Sequence, residues 1–128
     1  MLTQHATFGD VTVLTPIGRI DHTNSEAFRA GLAPHVERSL AEGGRLVIDL
    51  SRVDYISSAG LHTFLLAAKQ ARSGGATIVV AALRPVVKEI FEISRFTLLF
   101  EVFNDVDAAL RTLSTAAARA YESARQGL

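Results

Sequence analysis

The chain contains no cysteine, which excludes disulfides and thiolate metal centres and leaves nothing that points to an oxidising compartment. It also lacks a surplus of either charge, since thirteen basic residues stand against thirteen acidic ones. Such a balance has no electrostatic footprint for nucleic-acid phosphates, so neither DNA nor RNA is an expected partner. The four histidines, His5, His22, His35 and His62, occur at no close ligand spacing, and no metal site is expected. No apolar run approaches the ~20 residues of a membrane span, and the opening MLTQHATFGD lacks the basic start and long apolar stretch of a secretion signal. A soluble cytoplasmic protein without membrane contact is the expectation. Internal repeats, low-complexity blocks and linkers are likewise absent, and 128 residues is the length of one domain with a single core.

What is present alternates between strand and helix patterns. VTVLTPIGRID, from Val11, starts with β-branched residues and turns at Pro16 and Gly18, predicting one strand of an antiparallel pair whose first member lies near Leu2 to Phe8. In the next segment Thr23 and Glu26 have capping-box spacing, and Phe28, Leu32, Val36 and Leu40 recur every four residues, predicting a helix with one apolar face. Pro34 inside it predicts a kink or break. Gly43 and Gly44 end that helix. Leu46, Val47, Ile48 and Leu50 then form the nearly continuous apolar run of a central strand covered on both faces.

A second helix follows Ser58, with Leu61, Phe64, Leu65 and Ala68 on one side, and ends at Ser73 to Gly75. ATIVVAAL is a second buried strand, Pro85 opens a short helix, and Leu98 to Phe103 reads as a last strand, with Phe96, Phe100 and Phe103 in the core. Asn104 is expected to cap a helix carrying Val106, Leu110 and Leu113 that continues into the alanine-rich end. The domain proper spans 1–113, and 114–128 is a C-terminal helical extension, solvated or loosely docked and frayed at its tip. A strand pair followed by helix–strand units predicts an α/β fold: a mixed sheet of about five strands, right-handed crossovers, and helices mainly on one face.

RLVIDLSRVDYISSAGLHTFLL, Arg45 to Leu66, brings a buried strand into two serines and a glycine where a helix begins. Three readings of the serines stand. Ser57 or Ser58 caps the helix by accepting a hydrogen bond from a free amide. Alternatively, Ser58 is a nucleophile served by His22 or His62 as base and Asp21 or Asp54 as orienter. The local pattern opposes this, because a nucleophile elbow needs glycine two residues before and two after the serine, and here Ile56 occupies the earlier place while Gly60 fits the later. In the third reading the free amides and the positive end of the helix dipole seat a phosphate on Ser58, and Ala59 and Gly60 leave the backbone open to an approaching partner. No Gly-rich lysine loop is present to hold a nucleotide, so the phosphate is covalent or belongs to a partner's ligand. Asp21 is either a partner contact or a turn-former, and Asp49 and Asp54 read as turn residues flanking the strand end.

From Val11 to Leu113 these segments resemble, in order, the anti-sigma factor antagonists of the STAS domain class. GRIDHTNSEAF is similar to that family's Gly-x-Leu-Asp turn and first helix. VIDLSRVDYISSAGLHTFL is similar to its apolar strand, Asp-Leu-Ser turn, serine loop and Gly-Leu helix start. RPVVKEIFEIS and LFEVFNDVDAAL match its later helix, closing strand and last helix. The resemblance implies the STAS fold, and it implies a protein that is not an enzyme and needs no cofactor. It implies that Ser58, with Ser57 as the lesser candidate, is phosphorylated, and that Asp21, Ser57, Ser58, Ala59, Gly60 and Leu61 form the partner surface. The implied partners are a serine kinase of the histidine-kinase-like ATPase type that doubles as the anti-sigma factor, and a metal-dependent serine phosphatase. Unmodified antagonist binds the kinase and frees the sigma factor; phosphorylation at Ser58 dissociates it. The alternative within the fold is a scaffold or ligand-sensing module of a signalling complex, its serine acting as a cap. Two departures stand out: Ser57 replaces an aspartate common before the phosphoacceptor, and Arg95–Phe96 replace a common Gly-Leu.

Overall fold

The computed structural model describes residues 2–127. Strands β1 (Thr3–Phe8) and β2 (Val11–Pro16) form the expected antiparallel hairpin, with Phe8 opposite Val11 across a turn in which Gly9 adopts φ +57°. Three further strands, β4 (Arg45–Asp49), β6 (Thr77–Ala81) and β7 (Val102–Phe103), complete a five-stranded mixed sheet in the order β1-β2-β4-β6-β7. All pairings beyond the hairpin are parallel. β4 is central, as its apolar run requires: Leu46, Val47 and Ile48 are all almost fully buried, which happens only when both faces of a strand are covered.

Helices α1 (Ser25–Glu42), α2 (Ser58–Gly74) and α3 (Pro85–Ile93) cover one face, in line with the expected arrangement. Phe28, Leu32 and Val36 of α1, Phe64 and Ala68 of α2, and Val87 and Phe91 of α3 pack there on Leu14, Leu46, Ile48, Ile78 and Val80. Phe64 is the hub, its ring 5.2 Å from Phe28, 5.7 Å from Phe91 and 6.0 Å from Phe100. The intervening strand residues Val11, Val13, Val47, Val79 and Ala81 face the opposite way, onto α4 (Val106–Leu113) and α5 (Thr115–Gln126). The period-2 alternation of strand side chains thus divides one sheet between two cores. No helix among the described residues is long and apolar enough to cross a membrane.

Several local expectations fail for identifiable reasons. The Thr23–Glu26 capping box does not form: α1 begins at Ser25 behind Asn24, Thr23 bonds to Asp21, and Glu26 bonds to Arg29. Pro34 does not break α1, which runs from Ser25 to Glu42. Both Pro34 and Ala30, whose carbonyl it leaves without an amide partner, are exposed, so water can serve that carbonyl. The last strand shrinks to Val102–Phe103 because Phe96–Leu98 forms a 3-10 turn behind Arg95, which sits at φ +60°. Phe100 enters the first core, Phe96 packs at its edge, and Phe103 packs on the other side. Asp105, not Asn104, caps α4, its Oδ1 accepting from the Ala108 amide at 2.7 Å.

α4 does not continue into the alanine-rich segment. Ser114 turns the chain at an extended backbone conformation and caps α5. Its hydroxyl accepts from the Ala117 amide and donates to Asp10 at 2.5 Å, which holds the Asp10 carboxyl below the usual carboxylate range. Arg45 adds a hydrogen bond to the Leu113 carbonyl. Ala117 is fully buried against the β1–β2 turn, so close that a Cβ on Gly9 would lie 3.0 Å from the Ala117 nitrogen. α5 is therefore packed onto the sheet, with Tyr121 edge-on to Phe8.

The edge strand β1 meets α1 through two imidazoles, His5 and His35, with ring centroids 4.9 Å apart. Burial, then the proximity of His5 and Arg38, holds the His35 pKa below its ordinary value of 6.5. The folded state thus favours neutral His35, and this contribution is complete above that value and lost as pH falls through the lower folded pKa. The thermal midpoint of the wild-type chain is expected to fall more steeply between about pH 7.5 and pH 5.5 than that of His35→Gln. Parallel profiles would contradict the assignment.

Candidate functional site

Two short strands that the apolar pattern does not announce build the site. β3 (Gly18–Ile20) and β5 (Val53–Ile56) pair in parallel outside the main sheet, with Ile20 beside Ile56 and Arg19 beside Tyr55. Asp54 lies within β5 and is exposed, not in a turn as its sequence context suggests. Asp49 does form a turn at the end of β4, accepting from the Ser51 amide at 3.0 Å. Ile20 and Ile56 are buried and anchor the pair in the first core.

Immediately after Ile56 the Ser57 amide donates to the Ile20 carbonyl at 2.8 Å, extending the ladder by one rung. Ser57 then caps α2: its backbone is extended, its Oγ accepts from the Gly60 amide at 3.3 Å, and its carbonyl accepts from the Leu61 amide at 2.9 Å. The two serines are therefore distinguished. Ser57 is half-buried with its polar groups engaged, while Ser58, the first residue of α2, is exposed. Gly60 is buried, and a Cβ there would lie 2.6 Å from Ile20 Cγ2 and 3.0 Å from Ile56 Cγ2. The glycine is required by this close approach, not by an unusual backbone angle. Ala59 is half-buried, and Leu61 packs on the edge of the first core.

The same contact brings Asp21 beside this turn, one residue beyond Ile20. Asp21 Oδ1 accepts from the Thr23 amide at 2.9 Å and the Thr23 hydroxyl at 2.5 Å, and Oδ2 accepts from Arg19 Nε at 3.2 Å. These hydrogen bonds, the Thr23 hydroxyl foremost, hold the Asp21 carboxyl below the ordinary range. Asn24 closes the loop, accepting from the Asp21 amide and donating to the Arg19 carbonyl. The Arg19 guanidinium lies 4.1 Å from the centre of the Tyr55 ring. Arg19, Tyr55 and Asn24 are site components that the sequence reading missed; period-2 patterning over three or four residues is too brief a signal to reveal them.

The structure thus gathers Asp21 and the Ser57–Leu61 turn at one edge, where β3 and β5 end and α1 and α2 begin. His22 and His62 are both exposed, and Asp21 is committed to Thr23 and Arg19. The hydroxyl–imidazole–carboxylate chain that a serine nucleophile needs is not what these residues form.

Comparison with known proteins agrees with this fold. The STAS domain family model matches residues 4–109. BtrV of Bordetella bronchiseptica, whose name describes an anti-sigma factor antagonist, is 43% identical over 102 residues, covering 80% of this chain and 85% of its own. An anti-sigma factor antagonist from Mycobacterium paratuberculosis superposes with a TM-score of 0.70 at 21% identity, over 87% of this chain and 92% of that one. The phosphorylated form of the Bacillus cell fate determinant SpoIIAA gives 0.64 at 15% identity, over 88% and 100%. At such identities the two structures speak to the fold. The chain belongs to the STAS domain family, among its anti-sigma factor antagonists.

Two substitutions test the geometry. Ser57→Ala removes the cap and should cost about 1 kcal/mol in chemical denaturation, whereas Ser57→Asp keeps a capping oxygen and should cost less. Gly60→Ala forces Ile20 aside at a cost of about 1–3 kcal/mol, of which the lower entropy of the unfolded chain returns about 0.4–1 kcal/mol, so a net loss of stability is expected. An unchanged midpoint for Gly60→Ala would show that the contact is not tight.

Proposed function

We propose that this protein is a non-enzymatic phosphorylation switch in which Ser58 accepts a phosphoryl group from an ATP-dependent serine kinase that also serves as the anti-sigma factor. The observation that carries the reading is the division of labour between the serines: Ser57 is occupied as the cap, and the exposed Ser58 hydroxyl stands at the first position of α2. In the transfer the Ser58 oxygen forms a bond to the γ-phosphorus of ATP as the bond to the β,γ-bridging oxygen breaks. ADP leaves, and the hydroxyl proton passes to a base on the kinase. A metal-dependent phosphatase restores the serine by hydrolysing the ester with water. The cytoplasm, which supplies ATP, is the setting.

The unmodified surface of Asp21, Ser57, Ser58, Ala59, Gly60 and Leu61 docks the kinase and thereby frees its sigma factor. Phosphorylation adds about −1.5 to −2 charges at neutral pH in the middle of that surface. The free helix end tolerates them, because its amides and dipole favour an anion. A docked partner does not, because it strips the water from the phosphate and sets it against Asp21. A penalty of about 3 kcal/mol weakens binding more than a hundredfold, at roughly 1.4 kcal/mol per factor of ten. No refolding is needed, since the turn is fixed on both sides by Ile20 and Ile56.

The test is labelling of the purified chain by its kinase with ATP, followed by mapping of the phosphate. One phosphate at Ser58, none on Ser58→Ala, and at least tenfold weaker kinase binding by Ser58→Asp are the expected results. Label persisting on Ser58→Ala contradicts the assignment. Unchanged binding by Ser58→Asp favours a scaffold or ligand-sensing role instead.

A further inference from the structure

We propose that His62 is the cation that receives the phosphate on Ser58, so that the modified helix end carries its own ion pair. This rests on Ser58 as the acceptor, yet concerns a side chain with no part in the transfer. α2 runs unbroken from Ser58 to Gly74, so Ser58 and His62, four residues apart, lie one above the other on the same side of the helix. Both are exposed. Helical side chains lean toward the N-terminus, which inclines the His62 imidazole back over the turn that begins at Ser58. The serine hydroxyl is short, but a phosphate ester carries its anionic oxygens two bonds further out, toward that ring. An anion four residues before a cation is also the favourable order along a helix.

The other charged groups on the surrounding segments are engaged, of the wrong sign or distant, with one competitor. On the β3–α1 side Arg19 is held by Asp21 and the Tyr55 ring, and Arg29 of α1 is held by Glu26. His22 lies inside the Asp21 turn, next to a carboxylate in sequence. Asp54 of β5 is an exposed anion. Lys69, on α2 itself, is nearly two turns beyond His62. Arg84, the exposed residue before α3, is the competing cation, and α3 packs on β5. A pair with His62 leaves the phosphorylated surface closer to neutral than the phosphate alone would make it.

The experiment uses the full chain with phosphoserine encoded genetically at position 58, so no kinase is required. Phosphorus NMR follows the second ionisation of the phosphate from about pH 5 to pH 8 in the wild type, His62→Gln, His62→Lys and Arg84→Gln. The midpoint in the wild type should lie about 0.3 unit below that of His62→Gln, the size expected of a surface pair one turn apart. His62→Lys should also lie below His62→Gln, and the differences should collapse in about 1 M salt. Coincident midpoints in the wild type and both His62 variants overturn the proposal, as does a midpoint that moves with Arg84→Gln instead. Failure of a kinase to label Ser58 would count against the switch while leaving this titration unaltered, so the two failures are distinguishable.

Discussion

The contact between Gly60 and Ile20 governs this molecule. With no side chain at Gly60, the first turn of α2 settles directly on Ile20 and Ile56, and the Ser57 amide reaches the Ile20 carbonyl. That approach seats the start of α2 on the end of the β3–β5 ladder. It aligns Asp21 with the serine turn and fixes the direction in which α2 leaves toward Phe64 and the main core. A few tenths of an ångström of extra bulk there would separate the site's two halves.

The sheet supports this arrangement from behind. Parallel strands demand crossovers, and in β4 and β6 alternate residues must be apolar on both faces, so one set packs on α1, α2 and α3 and the other on α4 and α5. The C-terminal helix is tied down by small residues and backbone contacts, with Ala117 against Gly9, and by the Asp10–Ser114–Arg45 cluster. The exposed Asp10–Arg45 ion pair of that cluster adds little by itself. Close packing of alanine on glycine provides the attachment, and it leaves the Ser58 edge, on the other helices, uncovered.

A site held this closely suits the charge-operated switch we propose for it. Ser57, Asp21 and Asn24 use their polar groups to hold backbone to backbone, so the loop has no slack to take up when charge is added at Ser58. In the switch we propose, the added charge would act by position: favourable to the bare helix end, unfavourable to a covered one. In the same proposal, His62, one turn along the helix, would give that charge a local counterpart.

Much of this was legible in the chain itself. Apolar runs marked β4 and β6, four-residue spacing marked the buried faces of α1 and α2, and glycines marked where the helices stop, because burial and backbone freedom are encoded residue by residue. The order of segments was enough to expose the family resemblance and to single out Ser57 and Ser58. Folding alone decided the rest. Thr23 lost its capping role because Asp21, anchored by its neighbours, offered it a better partner, and the last strand shortened because Phe100 had a cavity to fill beside Phe64 and Phe91. Which serine caps and which stands free, and the pairing of Arg19 with Tyr55, follow from contacts between residues more than thirty positions apart. A linear pattern carries local preference, whereas the outcome of competition between distant partners exists only once the chain has closed on itself.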